Sequence, residues 1–177
     1  MSERIAVCPG TFDPMTNGHV DIARRALTVF DRVIIAVGIN PLKKELFTLD
    51  EKLEMIKASV QDNPRISVDS FEGLLVDYIK EVHACAIIRG LRAVSDFEME
   101  LQLALMNRKL CDDIETFFLM TDYKNMFVSS TIIKATAAAG GSVKGLVPEP
   151  VLLKLYEKFP LMKKNSRALK KSSREGK

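Results

Sequence analysis

Ile5-Ala6-Val7-Cys8-Pro9-Gly10-Thr11-Phe12-Asp13-Pro14-Met15-Thr16-Asn17-Gly18-His19 sets the architecture of this chain. Its first four residues form a short apolar run that Pro9-Gly10 stops, the pattern of a buried strand ending at a turn. From Gly18 onward Val20, Ala23, Leu27 and Phe30 recur at helical spacing, which makes one apolar face on a helix. Strand, polar loop and helix therefore follow one another within the first 30 residues. Gly10 gives room for close backbone approach to a ligand. Thr11 offers a hydroxyl and an N–H. Gly18-His19 opens a helix, where free N–H groups and the positive end of the dipole favour anions.

The same alternation continues outward. Val33–Val37 is a second strand, and Thr48-Leu49-Asp50-Glu51 fits a capping box ahead of a helix carrying Leu53, Ile56 and Val60. Arg65–Ser70 reads as a weaker strand and Leu74–Val82 as a helix. Ala84–Ile88 is a third strongly buried strand, expected to end at Arg89-Gly90. Ser95-Asp96-Phe97-Glu98 matches a second capping box, opening a long helix to about Leu110. Thr116–Met120 is another strand, Ser129-Ser130-Thr131 caps an alanine-rich helix that stops at Gly140-Gly141, and a last helix enters at Pro148 and Pro150 and runs to about Phe159. Such alternation predicts an α/β fold, a doubly wound parallel sheet with helices on both faces, in a single domain. Ligands of such sheets bind beyond the carboxyl ends of the strands, so the informative loops are 9–19, 38–47, 71–75, 89–95 and 121–131.

Composition bounds the rest. At 177 residues and 47% hydrophobic, the chain suffices for one domain with a real core. No apolar run approaches the roughly 20 residues of a bilayer span, and the N-terminus lacks the pattern of a secretory signal. Cys8, Cys85 and Cys111 are scattered and odd in number, so they read as small buried hydrophobes in a reducing compartment, and a cytoplasmic location is expected. The net charge of +3 is unevenly placed: residues 162–177 carry seven basic side chains against Glu175, leaving −3 on the other 161 residues. The expected organisation is a domain over 1–161 with a basic, mobile tail over 162–177. An acidic body argues against nucleic-acid binding.

Thr16-Asn17-Gly18-His19 matches the T/H-x-G-H signature of a nucleotidyltransferase superfamily, and Pro9-Gly10-Thr11-Phe12-Asp13-Pro14 extends the match at the right strand end. A lone histidine in a first helical turn would otherwise be an ordinary polar residue. Ile88-Arg89-Gly90-Leu91-Arg92, Asp96-Phe97-Glu98 with Glu100, and Phe127-Val128-Ser129-Ser130-Thr131 follow in the order and spacing of the phosphopantetheine adenylyltransferase family, which the chain resembles over about residues 4–160.

The resemblance implies a Rossmann-like nucleotidyltransferase fold and transfer of an adenylyl group from ATP to 4′-phosphopantetheine, giving dephospho-coenzyme A and pyrophosphate. It implies His19 as transition-state stabiliser, and Thr11, Lys43, Leu75 and Arg89 on the acceptor. On ATP it implies Thr11, Phe12, His19, Gly90, Leu91, Arg92, Glu100, Asn125, Met126, Phe127, Val128, Ser129, Ser130 and Thr131. Asn125, Met126 and Met99 depart from the common pattern. Mg²⁺ is expected through the ATP phosphates and water, with no protein carboxylate cage. A homohexamer and coenzyme A as feedback ligand are implied likewise, with no membrane partner. The rivals are another adenylyl- or cytidylyltransferase of the superfamily, in which histidine tends to replace Thr16, and a non-catalytic nucleotide-binding module, in which loss of His19 or Arg89 is expected.

Overall fold

Five parallel strands lie in the order β3-β2-β1-β4-β5, with β1 at Ile5–Gly10, β2 at Arg32–Gly38, β3 at Ile66–Phe71, β4 at Ala86–Leu91 and β5 at Glu115–Met120. The structure is a computed structural model and describes residues 3–42 and 44–166. Among the described residues, helices α1 Asn17–Ala26, α2 Leu49–Val60, α3 Leu75–Glu81, α4 Val94–Leu110, α5 Ser130–Ala138 and α6 Glu149–Lys158 connect and flank the strands, and a further helical stretch covers 160–166. The chain winds outward from β1 to β2 and β3, then returns to add β4 and β5 on β1's other side. The point of reversal lies between β1 and β4, where open α/β sheets bind ligands.

Alternate side chains of the central strands point to opposite faces. Ala6, Cys8, Val33, Ile35, Val37 and Ile88 pack with α1, α2, α5 and α6, while Val7, Ile34, Ala36 and Ile87 pack with α3. Both faces are covered, which explains why these strands read as unbroken apolar runs. The Thr48–Glu51 capping box forms as expected: Glu51 N–H donates to the Thr48 hydroxyl at 3.2 Å and Thr48 N–H to the Glu51 carboxylate at 2.9 Å.

Several expectations shift. Pro9-Gly10 are themselves the last two residues of β1, paired with Ala36 and Val37 of β2, and β4 runs one residue past Arg89-Gly90, staying in register with β5 through Leu91↔Met120. The box at Ser95–Glu98 does not cap α4, which starts at Val94 after an extended Ala93 (φ −147°) without a side-chain cap. Cys8 and Cys111 are buried, but Cys85 is exposed just ahead of β4. The chain is helical again from 160 to 166, so the boundary expected at 161 falls inside a packed helix. Met162 there is 1% exposed, and Asn165 Nδ2 donates to the Gly140 carbonyl at 3.0 Å. The rest of the expected tail, 167–177, lies outside the described residues.

Candidate active site

The β1–β4 ladder pairs only Ala6 with Ala86 and Val7 with Ile87. Beyond that point the strands part, and a side chain fills the gap: Arg89 Nη1 donates to the Pro9 carbonyl at 2.7 Å. A cavity of about 570 Å³ opens over this split, walled by the loop after β1, the start of α1, the end of β4, α4 and the start of α5. A second cavity of about 310 Å³ adjoins it, sharing Thr11, Arg89 and Glu100 and reaching Phe71 and Leu75. The double cavity suits an extended ligand beside a nucleotide.

His19 occupies the third position of α1 and lines the larger cavity. Its Nδ1 lies 3.0 Å from Thr16 N, which can only donate, so Nδ1 is the acceptor and Nε2 carries the proton. The Thr16 hydroxyl also lies 3.0 Å from Nδ1. Burial pushes the pKa of His19 down to about 4, with the Arg92 and Arg89 guanidiniums adding to the shift. The ring is thus neutral at pH 7 and presents a fixed N–H donor. Phe12 meets it edge-on, with ring centroids 5.2 Å apart. Phe12 itself sits at φ 48°, a left-handed conformation costly for a bulky residue. Its ring covers Gly10 so closely that an added Cβ would lie 2.9 Å from Cζ. Gly10→Ala therefore displaces Phe12 and loosens His19, and we expect kcat to fall about tenfold, with a stability loss of about 1–3 kcal/mol from overpacking. Steady-state kinetics and a melting curve check both.

Two arginines flank this donor. Arg89 forms a fork with Glu100, Nε to Oε2 at 2.6 Å and Nη2 to Oε1 at 2.5 Å. With the Pro9 contact this uses three of its N–H donors and leaves two, one on each terminal nitrogen, for a ligand. Arg92 is held by Asp96 at 3.0 and 3.3 Å and by the Val128 carbonyl at 3.2 Å. Cys8 also lines the cavity, but burial pushes its thiol up to about 12, so it stays protonated and is no nucleophile.

The start of α5 forms the opposite wall. Ser129 caps the helix by accepting from Ile132 N–H at 3.1 Å, and Ser130 donates its hydroxyl to the Pro14 carbonyl at 2.8 Å. Two of the three hydroxyls expected at phosphates thus also hold the helix start in place. The first-turn N–H groups and the exposed Thr131 hydroxyl complete an anion-binding end. Asp13 accepts from Leu46 N, Phe47 N and Lys134 Nζ. Burial alone would push its carboxyl up, but the Lys134 ammonium and the two N–H groups outweigh it and hold the pKa below the ordinary value.

Of the residues expected at the site, Thr11, Phe12, His19, Arg89, Gly90, Arg92, Glu100, Asn125, Val128, Ser129, Ser130 and Thr131 line the larger cavity, and Leu75 lines the smaller. Leu91, Met126 and Phe127 line neither; Leu91 is buried in β4 and the other two face outward. Lys43 lies outside the described residues. The structure adds Lys134, Asp96, Glu45 and Thr121 to the cavity wall. Lys134 left one legible trace, as the only charged residue of α5. Asp96 stood in a quoted motif without a site role, and Glu45 and Thr121 fell in informative loops without being singled out.

The chain is similar to known proteins over most of its length. The cytidylyltransferase-like family matches residues 7–136. The phosphopantetheine adenylyltransferase of Syntrophus aciditrophicus is 54% identical over 162 residues, covering 92% of this chain and 98% of that protein. That of Carboxydothermus hydrogenoformans is 56% identical over 88% of this chain and 96% of its own length. That of Dictyoglomus thermophilum is 53% identical over 87% of this chain and 94% of its own.

Proposed function

Since the chain belongs to the phosphopantetheine adenylyltransferase family, we propose how its cavity carries out the reaction. The enzyme transfers the adenylyl group of ATP to 4′-phosphopantetheine, giving dephospho-coenzyme A and pyrophosphate, a step of coenzyme A biosynthesis. A phosphate oxygen of the acceptor attacks the α-phosphorus, the bond to the bridging oxygen breaks, and pyrophosphate leaves with the electron pair. The substrate supplies the nucleophile, so the protein's part is positioning and charge stabilisation.

The observation that carries the proposal is the fixed tautomer of His19. Thr16 N–H on Nδ1 leaves Nε2–H to donate to a non-bridging α-phosphate oxygen as its charge grows in the transition state. The two unused N–H groups of Arg89, with Lys43, take the acceptor phosphate, and the pantetheine arm runs past Leu75 in the smaller cavity. Arg92 and the start of α5 face the β- and γ-phosphates, where the developing pyrophosphate gathers charge. ATP enters as its Mg²⁺ complex. Among the described residues no three histidine, cysteine or carboxylate side chains gather as a metal site. Asp13, Asp96 and Glu100 are each committed to a cation. That donor set fits an ion carried by phosphates and water, which screens the triphosphate charge.

We extend the proposal to assembly. Helix α4 leaves Leu103, Leu105 and Met106 49–59% exposed. Apolar side chains exposed to this degree on one helix call for burial, and copies of the same chain in a homohexamer would supply it; a monomer by light scattering would remove this part. Coenzyme A, which contains the phosphopantetheine arm, is proposed as a ligand of the same cavities. No helix among the described residues is long and apolar enough to cross a membrane.

Incubation with ATP, Mg²⁺ and 4′-phosphopantetheine is expected to release pyrophosphate stoichiometrically with dephospho-coenzyme A. Release only with nicotinamide mononucleotide, or only from CTP with a phosphorylated alcohol, would overturn the acceptor assignment.

A further inference from the structure

The chemistry above leaves the Asp13 carboxylate unused, although it is among the most deeply buried charges of the chain, at 4% exposure. Its partners come from two elements far apart in sequence. Oδ1 accepts from Leu46 N at 3.1 Å and Phe47 N at 3.0 Å, and Oδ2 from Leu46 N at 3.0 Å and Lys134 Nζ at 2.6 Å. Leu46 and Phe47 belong to the loop between β2 and α2, whose Lys44 and Glu45 line the larger cavity. Lys134 belongs to α5, whose first turn lines the opposite wall. The loop is pinned from a second direction, because Lys52 of α2, 1% exposed, donates to Glu45 at 2.7 Å. Both Asp13 oxygens are saturated by protein donors, so Asp13 is neither a base nor a ligand for substrate.

Accepting the reaction assigned above, we propose that Asp13 is a positioning residue that ties loop 44–47, which follows the Lys43 assigned to the acceptor phosphate, to α5, assigned to the nucleotide phosphates, through Lys134. The tie fixes where the acceptor phosphate sits relative to the α-phosphorus. A misplacement of about 1 Å at such a centre costs roughly a hundredfold in rate. Its loss acts on acceptor binding and turnover and leaves the ground-state grip on ATP to Arg92 and the α5 N-terminus.

Two variants test this. Asp13→Asn keeps one oxygen for the loop N–H groups but turns a donor toward Lys134. Lys134→Met removes the α5 end of the tie and leaves the loop's backbone bonds untouched, so it serves even if the first variant fails to fold. Titration calorimetry of the enzyme without nucleotide gives the dissociation constant of 4′-phosphopantetheine, and a non-hydrolysable ATP analogue gives that of the nucleotide. For Asp13→Asn we expect acceptor affinity and kcat each to fall about tenfold or more, and analogue affinity to change less than about threefold. For Lys134→Met we expect acceptor affinity to fall about threefold or more, with faster hydrogen exchange at Leu46 and Phe47. The double variant should bind acceptor no more weakly than Asp13→Asn alone, because both changes cut one tie. Unchanged acceptor affinity in Lys134→Met, losses that multiply in the double variant, or equal losses for acceptor and analogue would each overturn the proposal. Failure of the wild-type enzyme to bind 4′-phosphopantetheine would instead overturn the acceptor assignment, and the same titrations separate the two cases.

Discussion

His19→Ala lowers kcat by about a hundredfold to a thousandfold, the loss found when a single aligned donor to a developing oxyanion is removed, while the dissociation constant of an ATP analogue moves little. The asymmetry follows from geometry. Nε2–H is aimed by the Thr16 contacts on Nδ1 and by the Phe12 ring, and it strengthens only as charge builds on the α-phosphate. Ground-state affinity rests instead on Arg92 and α5. Parallel losses in kcat and analogue affinity would show that His19 is merely a binding residue, and unchanged turnover would remove it from the chemistry.

The same residue has a pH signature. In the folded chain His19 titrates near 4, against about 6.5 when unfolded. Between these values the unfolded chain takes up a proton that the folded chain refuses, so His19 favours unfolding increasingly as pH falls through that window. The effect reaches about 3 kcal/mol at its lower end and vanishes above 6.5. Denaturant titrations should therefore show a shallower loss of stability between pH 6.5 and 4 in His19→Ala. His19 stays neutral throughout the working range, so a fall in kcat/KM below about pH 6 belongs to the acceptor phosphate, whose second ionisation lies there. That inflection should survive in the variant.

Much of this site was legible because it is local. A buried parallel strand is an unbroken apolar run, and the stretch from the end of β1 into α1 carries Gly10, Phe12, Gly18 and His19 within ten residues. Contacts that join distant segments leave no such trace. Asp13 meets partners 33 to 121 residues away, and neither Leu46 nor Phe47 shows in its side chain that its N–H is in use. The spacing at Ser95–Glu98 misled for a related reason. The helix begins at Val94, so Ser95 falls inside its first turn and not at the cap, and Asp96 in that turn pairs with Arg92. Arg89 is legible as a charge in an otherwise apolar strand, yet nothing near it in sequence reveals that Glu100, expected on ATP, holds it.

That pairing gives the loss of Arg89 two separable consequences. Arg89→Met strips two donors from the acceptor phosphate, and charge-assisted hydrogen bonds of about 1.5–3 kcal/mol each place the rise in KM for 4′-phosphopantetheine at about a hundredfold or more. It also leaves the Glu100 carboxylate, 15% exposed, without its partner. Breaking a fully buried pair costs about 3–5 kcal/mol; partial solvent access here reduces that to about 2 kcal/mol, or roughly 4–8 °C in Tm for a chain of this size. The two losses have different causes and separate in a second variant. Adding Glu100→Gln to Arg89→Met removes the stranded charge, so Tm should recover most of the way while KM for the acceptor stays high. Arg89→Lys keeps a charge but not the fork that serves Glu100, Pro9 and ligand together, and should fall between wild type and Arg89→Met in both readouts. If KM recovered along with Tm in the double variant, Arg89 would be a structural strut for the split between β1 and β4, and the acceptor phosphate would have to be held elsewhere.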